Sequence, residues 1–312
     1  MMLVLNKNGM DDLIARLSSR PSKGVDCADS LLNMVYRGLT PKTLTLFSAN
    51  SNGGKTTFLI QNAVNIAVNH NKKVLFISIE QDVEEIGSLF ISCVTGVNRN
   101  HIFTEDMTIA DRQIIDQKKA DLETLLANIH IEYIGNLNNY DDIIKIIKDE
   151  HCEYLFFDYI SDDLINSSTS RMDILLKKVT ATLKEIATTY DIAVMSGTQL
   201  NNNARSDDYV IRDAKWIRGS FAIADKADVA MIASGEFNQF EKDIIDRAQS
   251  FDLIKNANLV IDVYKNRKGQ NHLKVFRQID FTNFAFQDIS VYNEVGANIT
   301  STIRSSYIKK GM

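Results

Sequence analysis

Thr43-Leu44-Thr45-Leu46-Phe47-Ser48-Ala49-Asn50-Ser51-Asn52-Gly53-Gly54-Lys55-Thr56-Thr57 is the stretch whose reading decides the fold. Residues 43 to 49 read as a strand, and a helical run follows from Lys55 onward. Between them, Ala49 to Thr56 fits the phosphate-binding pattern [AG]-x4-G-K-[ST]. Gly53 and Gly54 let the backbone wrap so that its amides point inward, and the N-terminus of the next helix adds positive potential. Ala49 stands where glycine is more usual, at a strand end that tolerates a small side chain. The nucleotide-binding set is therefore Ala49, Asn50, Ser51, Asn52, Gly53, Gly54, Lys55, Thr56 and Thr57. Lys55 can reach the β- and γ-phosphates of ATP, and the Thr56 hydroxyl can complete the shell of Mg²⁺.

Further along, short β-rich runs alternate with longer helical ones. Strands are expected at 43–49, 74–79, 129–134, 154–160, 192–197, 229–234, 259–265 and 273–279, and helices at 55–70, 83–96, 109–127, 141–150 and 170–190. In the last helix Leu175, Leu176, Val179, Leu183, Ile186 and Ala187 recur at three- and four-residue spacing, a core-facing stripe. The alternation predicts an α/β fold with a mostly parallel central sheet flanked by helices. The closing strands, with shorter connections and a charged turn at Lys265 to Gly269, predict antiparallel strands added at one edge.

In such a sheet, ligand groups gather beyond the C-terminal ends of the parallel strands. Tyr154-Leu155-Phe156-Phe157-Asp158 is an apolar strand ending in an acid, so Asp158 is the magnesium candidate, directly or through a water. Val74 to Ile79 ends in Glu80, where a carboxylate could polarise the water that attacks the γ-phosphate; a helix-capping or surface acid is the alternative. Ile192 to Gly197 leads to Gln199, whose amide can donate to a phosphate oxygen and accept from water. Asp162 and Asp163 read as solvated loop acids.

The composition bounds the rest. With 312 residues, 45% apolar, 24% charged, 14 Gly and 2 Pro, the chain suits one well-filled globular unit and excludes disorder and a collagen-like repeat. Cys27, Cys93 and Cys152 support neither a disulfide framework nor a zinc ribbon, and read as buried or idle thiols in a reducing cytosol. The apolar opening Met1 to Leu5 is too short for an export signal, and no run approaches a membrane span, so a cytoplasmic protein without membrane contact is expected. Net charge −5, from 35 basic and 40 acidic residues, argues against a broad basic face on duplex DNA but leaves room for a narrow basic channel. Leu13, Ile14 and Leu17 share one face of a short helix over 10–18. The expected organisation is an N-terminal segment 1–22 bearing this linker-type helix, an ATPase domain over 23–290 and a C-terminal tail over 291–312. The polar stretches 136–139, 201–208 and 298–306 read as loops.

Six segments carry a resemblance: GVDCADSLLNMVYRGLTPKTLTLFSANSNGGKTTF from Gly24, FISIEQDVEEIGSLFISCVTGV from Phe76, FFDYISDD from Phe156, LKEIATTYDIAVMSGTQLNNN from Leu183, RGSFAIADKADVAMIA from Arg218 and VIDVYKNRKGQ from Val260. Together they resemble the ATPase domain of the DnaB-like hexameric replicative DNA helicases, over about Gly24 to Asp288. The resemblance implies a RecA-like P-loop NTPase, a homo-oligomer forming a hexameric ring with ATP between adjacent subunits. It implies that Lys265 and Arg267 reach into the neighbour's site, where an arginine stabilises charge developing on the transferred phosphoryl group. From spacing alone, KNRKGQ reads as an exposed basic turn. Glu80 would then activate water, Asp158 and Thr56 hold Mg²⁺, and Gln199 report the γ-phosphate to loops facing a central channel.

The ring would move along single-stranded DNA, 5′ to 3′, in DNA replication. Its DNA-facing segment, 201–220, offers Arg205, Arg212, Lys215 and Arg218 as phosphate contacts among Asp207, Asp208 and Asp213. Residues 1–42 leave room for a short helix but not for the collar domain family members carry. Contact with a primase or helicase loader is then expected to depend on other proteins or to be absent. A stand-alone motor of this kind suits a bacteriophage replication module. Two other readings share the P-loop: a RecA- or RadA-like recombination ATPase forming filaments on DNA, and an ATP-switched regulatory oligomer that binds no nucleic acid.

Overall fold

The computed structural model describes residues 24–25, 31–104, 106–135, 140–161, 172–201, 210–218 and 221–309. Its strands are β1 (Leu44–Ala49), β2 (Val74–Ser78), β3 (Ile129–Tyr133), β4 (Tyr154–Ile160), β5 (Ala193–Gln199), β6 (Val229–Ser234), β7 (Leu259–Asn266), β8 (Leu273–Ile279) and β9 (Phe286–Asn293). They form one sheet in the order β3-β2-β4-β5-β1-β6-β7-β8-β9. Pairing is parallel from β3 to β6 and antiparallel from β6 to β9, the expected edge addition.

The helices are α1 (Leu31–Tyr36), α2 (Lys55–Val64), α3 (Val83–Thr95), α4 (Arg99–Phe103), α5 (Ile109–Gln117), α6 (Lys119–Asn128), α7 (Asp141–Asp149), α8 (Met172–Thr189), α9 (Phe221–Lys226), α10 (Gln239–Arg247) and α11 (Thr300–Lys309). The helix expected over 55–70 is α2 continued by a π turn, Asn65–Asn69. That expected over 109–127 is broken at Lys118, between α5 and α6.

Interior parallel strands are covered on both faces, so they read as apolar runs. β1 is buried along its whole length. Successive side chains point to opposite faces: Phe47 and Ala49 pack with Phe58 of α2 and Phe90 of α3, whereas Leu44 and Leu46 pack with Leu176, Val179 and Leu183 of α8. The Phe47 and Phe58 rings stack at 3.9 Å between centroids, fastening the helix after the P-loop to the strand before it. The loop is thus held at both ends by the core.

Two expectations are corrected beyond residue 290. β9, which the sequence patterning did not suggest, runs to Asn293, and α11 brings Ile303 into the core shared with Phe47. Residues 291–309 therefore extend the domain instead of forming a tail, and the stretch read as a loop at 298–306 contains most of α11. The Val291 amide donates to the Thr300 hydroxyl at 2.9 Å, tying that helix to β9. The helix expected at 10–18, Cys27, Asp162, Asp163, and the segments 136–139 and 202–208 lie outside the described residues. Burial pushes the thiols of Cys93 and Cys152 up to about 12 and about 11, which makes them poor nucleophiles. No described helix is long and apolar enough to cross a membrane.

Candidate functional site

Parallel register carries separate strand tips to one place. Ala49 pairs with Gln199 across β1 and β5, and Ser78 with Asp158 across β2 and β4. The P-loop, Asp158, Gln199 and the turn holding Glu80 therefore meet at one edge of the sheet. Lys55, Thr56, Glu80, Tyr159, Gln199 and Phe281 are among the residues lining a cleft of about 680 Å³ there.

Two glycines shape the loop. The Gly53 amide donates to the Asn50 carbonyl at 2.9 Å, and a Cβ at Gly53 would stand 2.9 Å from that same oxygen. Gly54 has φ +84°, a left-handed backbone that side chains disfavour, and a Cβ there would meet the Phe281 ring at 2.6 Å. Lys55 Nζ donates to the carbonyls of Ala49 and Asn50 at 3.3 and 3.0 Å and lies 5.6 Å from the centre of the Tyr159 ring. Burial holds its pKa below the usual lysine value, although Asp158 and Glu80 pull it up.

The Thr56 hydroxyl donates to Asp158 Oδ2 at 2.6 Å. The other oxygen, Oδ1, is buried without a hydrogen-bond partner, and burial pushes the carboxyl up to about 6, against the Thr56 bond and Lys55. An orphaned buried carboxylate oxygen is costly. Beside a hydroxyl, it supplies the hard oxygen donors that Mg²⁺ prefers, so the residues present fit that ion.

Gln199 bridges two segments. Its Nε2 donates to Ser51 Oγ at 2.9 Å, its Oε1 accepts from Arg218 Nη1 at 3.4 Å, and its carbonyl accepts from the Arg218 amide at 2.9 Å. The cleft also receives residues that local patterning did not flag: Tyr159, Arg99 at the start of α4, and Phe281 in the turn after β8. Their neighbours in sequence carry no phosphate-site motif, so chain topology alone brings them in.

Lys265 and Arg267 stand elsewhere. Thr45 pairs with Val229 and Val229 with Asn266, so the two cations flank a position level with the beginning of β1. At about 3.3 Å per residue, that lies roughly 13 Å along the sheet from Ala49, on the side away from the cleft. Lys265 Nζ donates to the carbonyls of Ala224 and Asp225 at 2.8 and 2.9 Å, near the C-terminus of α9. Burial and the adjacent Arg267 hold its pKa below the usual value.

Among the expected DNA contacts, Lys215 and Arg218 are exposed and Arg205 lies outside the described residues. Arg212 is corrected: it is buried, with Nη1 donating to Glu241 Oε1 at 2.6 Å and Asp262 Oδ2 at 2.8 Å. Its guanidinium is committed to the interior and is not presented to a channel.

The description "DnaB-like helicase C terminal domain" matches residues 24–285. The SPbeta prophage-derived protein YorI of Bacillus subtilis (strain 168) is 29% identical over 314 residues, covering 91% of this chain and 62% of that protein. The replicative DNA helicase DnaB of Buchnera aphidicola subsp. Baizongia pistaciae (strain Bp) is 25% identical over 199 residues, covering 61% of this chain and 42% of that protein. The shared part is thus less than two thirds of either relative's own length. Among solved structures, an isolated ATPase domain superposes with a TM-score of 0.71 at 17% identity, covering 90% of this chain and 97% of that one. A DnaB-like replicative helicase, solved in work on its interactions with primase, gives 0.72 at 17% identity, with 91% and 68% coverage. Those two likenesses show the same fold, and the family match runs from the entrance of the P-loop strand to the turn before β9. The chain belongs to the DnaB-like helicase C-terminal domain family.

Proposed function

We propose that the chain is the ATP-hydrolysing motor of a replicative DNA helicase, assembling as a hexameric ring in the cytoplasm and moving 5′ to 3′ on single-stranded DNA. The observation that carries this reading is the division of the catalytic set. Lys55, Thr56, Glu80, Asp158 and Gln199 share one edge of the sheet, while Lys265 and Arg267 lie toward the opposite one. A single subunit cannot close that gap through a packed sheet; a neighbour presenting its far edge to this cleft can.

In this mechanism Lys55 exchanges the Ala49 and Asn50 carbonyls for the β- and γ-phosphates. Thr56 and Asp158 hold Mg²⁺, which when bound neutralises charge on the phosphate oxygens. Glu80 orients the attacking water and accepts its proton. Phe281 offers an aromatic face beside the P-loop for the base. Gln199 gives up Ser51 for a γ-phosphate oxygen and, through Arg218, passes its state to the segment that faces DNA. Lys265 and Arg267 complete the neighbour's site, and Lys215 and Arg218, with Arg205, contact the DNA backbone. A primase or helicase loader is the expected protein partner.

The test is unwinding of a forked duplex with ATP, comparing 5′ and 3′ single-stranded tails, with Lys55→Ala as the inactive control. Unwinding that needs the 5′ tail supports the reading. An ATPase rate indifferent to single-stranded DNA, with no unwinding, would overturn it.

A further inference from the structure

The two cations at the far edge do not stand alone there. Asp228, in the turn between α9 and β6, has a side chain only 13% exposed, and its two carboxylate oxygens have separate tasks. Oδ2 accepts from the Leu44 amide at 2.9 Å and from Lys184 Nζ at 2.6 Å, which fixes it to the start of β1 and to α8. Oδ1 accepts from Arg267 Nη1 at 3.4 Å. The backbone repeats the attachment, because the Arg267 amide donates to the Asp228 carbonyl at 2.9 Å and the Asp228 amide to the Leu44 carbonyl at 2.8 Å. The Arg267 side chain is still 56% exposed, so its guanidinium is steered without being buried.

A carboxylate held to the core through one oxygen, and offering the other to an exposed guanidinium, aims that guanidinium and limits its rotamers. Lys184 balances the charge, which keeps the contact to Arg267 long and exchangeable. Resting on the reading of Arg267 as a group that serves the neighbouring subunit, we propose that Asp228 is its positioning residue, held in place by Lys184 and aiming the guanidinium at the adjacent nucleotide site. Asp228 touches no phosphate itself. It fixes the distance between one subunit's core and the next subunit's chemistry, and misplacement of such a group by about 1 Å can cost orders of magnitude in rate.

The experiment measures DNA-stimulated ATPase of the full chain for Arg267→Ala, Asp228→Asn and the double variant, each alone and mixed with Lys55→Ala subunits. Asp228→Asn preserves an acceptor for the Leu44 amide and removes the charge. It is expected to lower kcat about tenfold with the KM for ATP within about twofold, and to add nothing in the Arg267→Ala background. Mixing with Lys55→Ala should restore part of its activity, because a Lys55→Ala subunit carries an intact Asp228 and Arg267 for its neighbour, whereas a fault in the variant's own P-loop would not be rescued.

If Arg267→Ala itself keeps full activity, the underlying reading of Arg267 fails. If Arg267→Ala is impaired and rescued in mixtures while Asp228→Asn is unimpaired, or impaired but not rescued, the positioning proposal fails and Asp228 merely caps β1. Should Asp228→Asn not fold, Asp228→Glu keeps the charge and displaces the carboxylate. The same loss of kcat, absent in the Arg267→Ala background, supports the proposal, and parental kcat overturns it.

Discussion

Two clusters of buried charge in this chain are built on opposite terms. Around Arg212, the guanidinium donates to Glu241, Asp262 and the Glu236 carbonyl, and Lys274 Nζ donates to Glu241 and Asp262 at 2.6 Å each. Two positive groups face two negative ones and each is partnered. Burial works against these charges, yet Asp262 and Glu241 hold Arg212 above its usual pKa, and Lys274 and Arg212 hold Glu241 below its own. In the P-loop cleft the balance is left open. Burial depresses Lys55 and raises Asp158, and Asp158 Oδ1 has no hydrogen-bond partner. The closed cluster ties the segment at Arg212 to α10, β7 and β8 as structure. The open one keeps its deficit for a nucleotide and its metal.

If that contrast is right, substitutions in the two clusters should fail in different ways. Lys55→Ala should reduce ATP hydrolysis by at least about a thousandfold, because nothing else in the cleft can follow charge onto the γ-phosphate. Its melting temperature should stay near the parent's, since the ammonium holds only two loop carbonyls. Collapse of the fold in this variant would break the comparison at its strongest point. Arg212→Met should do the reverse. It leaves Glu241 and Asp262 to share Lys274, and losing one member of a buried ion cluster costs about 3–5 kcal/mol. Urea denaturation should register that loss, with hydrolysis per folded molecule retained. A loss below about 1 kcal/mol would mean that the closed cluster is not what holds the segment.

The third test uses pH. Asp158 titrates at about 6 in the folded chain against an ordinary 3.8, so the native state holds this proton more tightly than the unfolded one. The stability it contributes is complete below the unfolded value and is lost as pH rises through the folded one. In nucleotide-free protein treated with EDTA, the parent should lose up to about 3 kcal/mol relative to Asp158→Asn between about pH 4 and 7. Mg²⁺ with ATP should restore the parent and leave the variant largely unchanged. A parent-minus-variant difference independent of pH would show that Asp158 is not the strained group.

The parallel half of this fold was legible because its strands are buried on both faces and read as continuous apolar runs. β9 was hidden by the Asp288 within it, whose charge disguises a strand: Oδ1 accepts from Arg277 Nε at 2.5 Å and Oδ2 from the Leu32 amide at 2.8 Å. Candidate site residues at strand tips could be named, because parallel topology carries every tip to the same edge. Phe281 and Arg99 could not, since they meet only when the Arg99 amide reaches the Thr282 carbonyl at 3.2 Å. Arg212 misled for the same reason. In a loop crowded with charge it reads as exposed, and its partners, 29 and 50 residues away, become visible only in three dimensions.

Asn238 gives the smallest effect and the finest cut. It caps α10: its side-chain oxygen accepts from the Glu241 amide at 2.9 Å, while Glu241 Oε2 accepts from the Asn238 amide at 2.8 Å. Glu241 is therefore at once a helix-capping residue and a member of the closed charge cluster. Asn238→Ala removes the neutral cap and leaves the backbone amide and all the ionic bonds in place, so it should cost about 1 kcal/mol, the usual worth of an N-cap side chain. Combined with Arg212→Met, the two losses should add, if cap and ion cluster act independently through separate atoms of Glu241. A double-variant cycle by urea denaturation measures this. Coupling above about 1 kcal/mol would show that the cap orients Glu241 for its ion pairs, so that the helix start belongs to the charge cluster itself.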